Sequence, residues 1–368
     1  MEQIVQDFLD RADVKINGKR PWDIQVNNQG LYLRVLVGGS IALGEAYMDG
    51  WWECKALDQL VDRLLRARLD IKIRLSKYLA WNTIKAKIMN QQRKSKAYVI
   101  GERHYDIGND LYKNMLDKRL NYSCGYWKNA KTLDEAQEAK LDLICKKLKL
   151  RPGMTVLDIG CGWGSLAKFA AEKYQVKVVG ITVSKEQVRF ARELCKGLDV
   201  EIRLQDYRDL KEKFDCVVSV GMFEHVGYKN FRKFIKVVER CLKDSGLFLL
   251  HTIGGNKSVT CLDPWIDKYI FPNGMLPSAK QITKAYEGIF KLEDWHSFGT
   301  YYDKTLMAWY KNFNKNWDKI KINYDERFRR MWNYYLLICA GSFRAHKNQL
   351  WQIVFSKIGS QVDYESIR

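Results

Sequence analysis

The sequence predicts an α/β protein, with a mostly parallel seven-stranded sheet preceded by a smaller, mainly helical unit. Three observations carry this. From Thr155 onward, short apolar runs alternate with stretches of helical spacing, the pattern of a parallel sheet with right-handed crossovers. The first of those runs, Val156 to Ile159, ends on a glycine at every second position: Gly160, Gly162 and Gly164. Glycine there lets a strand stop abruptly and its backbone approach a ligand. Residues 1 to 90 read as a separate unit, joined through a polar, basic stretch at 91–102 to a domain over 103–368.

The elements follow in order. Ile24–Val26 and Leu31–Val35 alternate as strands around the turn Asn27–Gly30. Leu57–Leu65 has helical spacing, whereas Leu69–Leu75 alternates with period two between helical stretches and stays open. Asp134–Leu148 reads as a helix that Pro152-Gly153 ends. Strands are expected at 155–159, 176–182, 200–204, 214–220 and 247–253, and helices at 165–174, 185–197 and 231–242. Phe290–Phe298 and Leu350–Phe355 supply the last two strands.

Composition bounds the function. At 368 residues with 46% hydrophobic content, the chain can bury a large core. No apolar run approaches the ~18 residues of a membrane span. Met1–Val14 is acidic and broken by polar residues, so no signal peptide is expected. Nine cysteines lie scattered without CxxC spacing and read as reduced cytosolic thiols; no metal site is expected. The net charge of +19 calls for a polyanionic partner. Between Arg63 and Lys96 stand eleven Lys/Arg and one acid, Asp70, mixed with leucines, isoleucines, Tyr78 and Trp81. That mixture suits an anionic membrane surface, where each basic residue contributes ~1 kcal/mol; an ordinary solvated helical face is the plainer alternative. No zinc-finger or RNP-type motif accompanies the charge, so no nucleic acid is expected.

The string Val156-Leu157-Asp158-Ile159-Gly160-Cys161-Gly162-Trp163-Gly164 resembles motif I of the Rossmann-like class I methyltransferases that use S-adenosyl-L-methionine. In open α/β sheets ligands sit at the carboxyl ends of the strands. The glycines would admit the cofactor's amino-acid tail, and Asp158 offers a carboxylate to its ammonium group. Thr182 and Gln187, at the second strand end, can hydrogen-bond ribose hydroxyls. At the third end stand Gln205, Asp206, which can accept from the adenine amino group, and Tyr207, which can cover its face. Singly, Thr182, Gln187 and Asp206 also read as caps or turn residues.

Further strings narrow the resemblance: Arg103-His104-Tyr105-Asp106-Ile107-Gly108-Asn109-Asp110, Tyr122-Ser123-Cys124-Gly125-Tyr126-Trp127, Met222-Phe223-Glu224-His225-Val226-Gly227, Phe271-Pro272-Asn273-Gly274, Tyr301-Tyr302 and Cys339-Ala340-Gly341-Ser342-Phe343-Arg344. Together they resemble the bacterial cyclopropane-fatty-acyl-phospholipid synthases over residues 100 to 356. The resemblance adds Tyr122 and Ser123 to the cofactor set. It implies methyl transfer to a cis double bond of a phospholipid acyl chain, then loss of a proton from the carbocation to close the ring. It further implies a bound bicarbonate as the base, surrounded by Cys124, Glu224, His251, the backbone of Ile253, and Tyr302. Taken singly, His251 also reads as a buried strand histidine, Cys124 as a small core residue and Glu224 as a helix N-terminal acid. Cys339 matches a cysteine once read as catalytic in the family; a thiolate has no clear role here, and lining or packing the pocket is the stronger reading. A homodimer and a cytoplasmic, peripheral location on the inner membrane face are implied as well.

An apolar channel follows from energetics. Each acyl CH₂ exposed to water costs about 0.8 kcal/mol, so reaching a bond roughly nine carbons down the chain costs about 7 kcal/mol unless it is sheathed. The aromatics between Trp265 and Trp332 are candidates to line it, though most also read as ordinary core. Two other readings stay open: a related methyltransferase acting on an acyl-carrier-bound chain or a small amine, and a membrane or nucleic-acid binding module with a vestigial pocket.

Overall fold

The structure, a computed structural model, describes residues 2–69 and 108–368. The possible strand from residue 70 on, the linker, most of the basic run and the string Arg103–Ile107 lie outside the described residues. The described chain forms two compact units. One gathers 2–69 with Cys261–Pro272 and Tyr302–Asn348; the other holds 108–260, Asn273–Tyr301 and Gln349–Arg368.

In the first unit, β1 (Gln25–Val26) pairs antiparallel with β2 (Trp52–Glu53). The expected second strand at Leu31–Val35 is instead the start of a helix, Leu31–Met48. Asn28 explains the difference. Its side chain accepts from Gly30 N–H at 2.9 Å and its carbonyl from Leu31 N–H at 3.0 Å, a turn that launches a helix and not a hairpin. The apolar run also continues through Ile41 and Ala46, too long for one strand. Helix Leu57–Arg66 matches its expected span. It packs on helix Glu326–Arg344 where Gly341 lacks the Cβ that would strike the Asp58 carbonyl. Arg344 clamps the contact, donating to Asp58 Oδ2 at 2.6 Å and to both Asp303 oxygens at 2.9 Å. Trp265, Trp309, Phe313 and Trp332 are fully buried and form core.

The second unit carries the sheet. Its strands are β3 (Thr155–Ile159), β4 (Lys177–Thr182), β5 (Val200–Leu204), β6 (Phe214–Val220), β7 (Leu242–Gly255), β8 (Phe290–Ser297) and β9 (Asn348–Lys357). Their order is β5-β4-β3-β6-β7-β9-β8. Strands β3 to β7 run parallel, and β8 pairs antiparallel with β9. The seven strands stand where the sequence places them. Chain order reverses between β3 and β6, which opens a crevice at their carboxyl ends.

Side-chain alternation on β3 divides the core. Leu157 and Ile159 pack with helix Phe231–Cys241 on one face; Val156 packs with Leu141 and Ile144 of helix Leu133–Lys147 on the other. Asp158 shares parity with Val156 and so faces that second helix. The helix begins on a capping box, Thr132 with Glu135. Among the described residues no helix is long and apolar enough to cross a membrane.

Candidate active site

The crevice holds a cavity of about 210 Å³. Ten of the eleven residues expected around the cofactor line it: Tyr122, Ser123, Asp158, Gly160, Gly162, Thr182, Gln187, Gln205, Asp206 and Tyr207. Gly164 does not. It holds φ +87°, and a Cβ there would press on Ala191 and Cys195, so it serves the packing of helix Ser165–Tyr174 on helix Lys185–Leu194. Gly160 borders the cavity directly at φ +86°, and a Cβ would lie 2.7 Å from that of Met222. Thr182 Oγ1 donates to Gln187 Oε1 at 2.7 Å, which fixes the amide and leaves its NH₂ as donor. Asp206 accepts from Arg208 N–H at 2.9 Å, so it caps its turn as well as lining the cavity.

Two buried charges set the field. Burial pushes the Asp158 carboxyl up to about 7, against the pull of Lys140. Burial draws the Lys140 ammonium down to about 8, with Asp117 acting against it. Sequence reading missed Lys140, its partner Asn121, and Ser165, which donates to Asn121; all three line the cavity. A signal existed: Lys140 and Lys147 stand on the buried stripe of their helix, where an unpaired lysine is rare.

A second cluster lies in the same unit, next to the cavity in sequence. Glu224 sits in the turn Phe223–His225, flanked by the cavity-lining Met222 and His225. Its Oε1 accepts from Ile253 N–H at 2.7 Å, while Oε2 is buried with no partner among the described residues. Burial pushes this carboxyl up to about 7. His251 on β7 is 1% exposed. Burial, with Lys140 and Lys147 nearby, holds it well below the usual imidazole range, so the ring is neutral. Its Nδ1 stands 3.2 Å from the Gln352 amide nitrogen. With that amide donating, the ring proton sits on Nε2, which is buried and also lacks a partner among the described residues. Cys124 is fully buried, its thiol 3.2 Å from Gly125 O.

The other two expected residues fall in the first unit. Tyr302 stacks on Phe343 at 4.5 Å between centroids. Cys339 lies on helix Glu326–Arg344, and burial pushes its thiol up to about 12. It is a neutral thiol near pH 7, not a thiolate.

The family model for mycolic acid cyclopropane synthetase matches residues 91–353. The cyclopropane-fatty-acyl-phospholipid synthase of Escherichia coli K12 is 54% identical over 96% of this chain and 93% of its own. The chain belongs to the cyclopropane synthase family. Among solved members, the cyclopropane synthase MmaA2 from Mycobacterium tuberculosis superposes with a TM-score of 0.67 at 31% identity, covering 71% of this chain and 98% of its own. The mycolic acid cyclopropane synthase CmaA1, complexed with SAH and CTAB, does so at 0.66 and 33%, with the same coverage. A cyclopropane synthase is a methyltransferase, and the seven-stranded sheet described above is its class I fold.

Proposed function

We propose that the chain transfers a methylene unit from S-adenosylmethionine to the cis double bond of an unsaturated acyl chain in a membrane phospholipid. The reading is carried by a pairing within one unit: a glycine-edged cavity with Asp158 at its floor, and beside it the turn that presents Glu224. The tail's ammonium would meet Asp158, the ribose Thr182 and Gln187, and the adenine Asp206 and Tyr207. When bound, this cofactor supplies an electrophilic methyl group on sulfur. The alkene is a weak nucleophile, so the residues' contribution is placement in line and exclusion of water.

The partnerless atoms Glu224 Oε2 and His251 Nε2 suit a small oxyacid. Bicarbonate fits: it would be held by these two atoms, with Cys124 and the Ile253 carbonyl, since the Ile253 N–H is already used by Glu224. When bound, it supplies a base for the proton lost at ring closure. Glu224, with its raised pKa, can share a proton with an adjacent anion and so avoid repulsion between two like charges. The basic run Arg63–Lys96 would hold the enzyme to an anionic membrane surface on the cytoplasmic side, and the working form would be a homodimer. The test is mass spectrometry of lipids from cells expressing the chain. A gain of about 14 mass units (one CH₂) on unsaturated chains, resistant to hydrogenation, is expected. Unchanged lipids, or a methyl branch in place of a ring, would overturn the reading.

A further inference from the structure

The cofactor cavity contains a cation to which the chemistry above gives no role. Lys140 is 2% exposed and lines the cavity from helix Leu133–Lys147. Its Nζ donates to Asn121 Oδ1 at 2.9 Å and to Ser123 Oγ at 3.0 Å. Asn121 is itself locked: Oδ1 accepts from Ser165 Oγ at 2.9 Å, and Nδ2 donates to Asp117 Oδ2 at 2.8 Å. The Ser123 backbone is fixed too, its carbonyl accepting from Gln137 Nε2 at 2.7 Å.

The direction of these bonds decides what the pair can recognise. An ammonium only donates. Ser123 Oγ therefore accepts from Lys140 and must aim its own O–H elsewhere. That hydrogen has no protein acceptor among the described residues, and neither has the third N–H of Lys140. No carboxylate forms a direct ion pair with Lys140 among the described residues. Two donors and one positive charge thus stand unfilled on one wall of the cavity, while Asp158 offers the opposite sign.

We propose that Lys140, with the Ser123 hydroxyl it orients, binds the carboxylate of the cofactor's amino-acid tail, while Asp158 takes the ammonium group. This rests on the cofactor reading above. It makes Lys140 a specificity residue: a buried cation that rejects nucleoside sulfonium compounds lacking the tail carboxylate.

The test compares S-adenosylmethionine with its decarboxylated form by titration calorimetry on the full chain. The wild-type protein should prefer the carboxylate-bearing compound by roughly 10- to 100-fold, the range for a charge-assisted hydrogen bond. Lys140→Met and Ser123→Ala should each weaken binding of S-adenosylmethionine and leave the decarboxylated compound unchanged, so that the ratio falls toward one. A general packing defect would weaken both ligands equally and leave the ratio intact. Should Lys140→Met fail to fold, Ser123→Ala, which removes one hydroxyl, carries the test. A wild-type ratio near one, or variants that keep the wild-type ratio, would overturn the assignment. A wild-type chain that binds neither compound would instead overturn the cofactor reading.

Discussion

Ile253 donates its backbone N–H to Glu224 Oε1 at 2.7 Å, and that bond fixes where the other carboxylate oxygen points. Glu224 follows β6 and Ile253 lies on β7, so the contact ties two neighbouring parallel strands at their carboxyl ends. The bonded oxygen is structural. The other has no partner among the described residues and is the end that the proposed ion site would use.

Glu224→Gln separates these two roles. The amide oxygen can still accept from Ile253, so the turn should hold and cofactor affinity should stay within about twofold. Ring formation should fall by roughly 10²- to 10⁴-fold, the usual weight of a proton-handling group. Calorimetry reads the first and lipid mass spectrometry the second. Full activity in this variant would remove Glu224 from the ion site.

Asp158 sets function against stability. Its carboxyl titrates near 7 in the folded protein and near 3.8 when unfolded. A folded-state pKa raised in this way means the native protein holds the proton more tightly. The cost of ionising it in place is absent below about pH 3.8, grows up to about pH 7 and is constant above. Asp158→Asn should therefore raise the unfolding free energy, more at pH 8 than at pH 5, by at most about 4 kcal/mol at the upper pH, read from urea midpoints. In the proposed reading the cofactor's ammonium group meets the ionised form of Asp158. Wild-type affinity should climb as pH rises toward 7 and then level off, and the variant should bind weakly at every pH. A variant that is less stable than wild type at pH 8 would contradict the assignment of strain to this carboxylate.

The sheet was legible because two signals agree along it: short apolar runs of five to seven residues that alternate with helical stretches, and glycines at the first strand's end. The cavity-lining residues at the strand ends were legible for the same reason, since strand ends converge whatever the loops do. Gly164 misled because its spacing matches Gly160 and Gly162 while its neighbours are Ala191 and Cys195. Helix Leu31–Met48 was read as starting in a strand because Leu31, Leu33 and Val35 alternate locally; only the Asn28 turn and the length of the run argue otherwise. Lys140 was passed over because a lysine in a charged helix looks solvated until the face it occupies is known.

A buried ion pair gives a stability test away from the site. Lys147 Nζ lies 3.1 Å from Asp294 Oδ2, with the two side chains 0% and 2% exposed. Arg368 donates to both oxygens of Asp294 at 2.6 Å. Asp294→Asn removes the counter-charge of a buried ammonium and should cost roughly 3–5 kcal/mol. Adding Lys147→Met should recover part of that loss, because the fully buried ammonium is then gone, while the partly exposed Arg368 keeps its lost counter-charge. Urea midpoints of wild type and the two variants read the effect. A single variant as stable as wild type would mean that the pair is solvated.

Membrane engagement should have two parts that salt can separate. The basic run Arg63–Lys96 carries eleven positive residues against one acid. At about 1 kcal/mol for each residue near an anionic surface, even a few in contact suffice for attachment. The Debye length shrinks from about 8 Å at physiological ionic strength to about 3 Å at 1 M, so this part should fade at high salt. The first unit also exposes Leu33, Leu36 and Val37 at 58%, 63% and 75%. Apolar contact with lipid is insensitive to salt screening and would leave a weaker remainder. Sedimentation with anionic vesicles should therefore show strong binding at low salt, at least tenfold weaker binding at 0.5 M salt, and a plateau above zero. Lys72→Glu with Lys77→Glu should lower the salt-sensitive part alone, and Leu36→Ser with Val37→Ser the plateau alone. Equal binding to neutral and anionic vesicles at low salt would remove the charge from the argument, because only the apolar face would then be holding the bilayer.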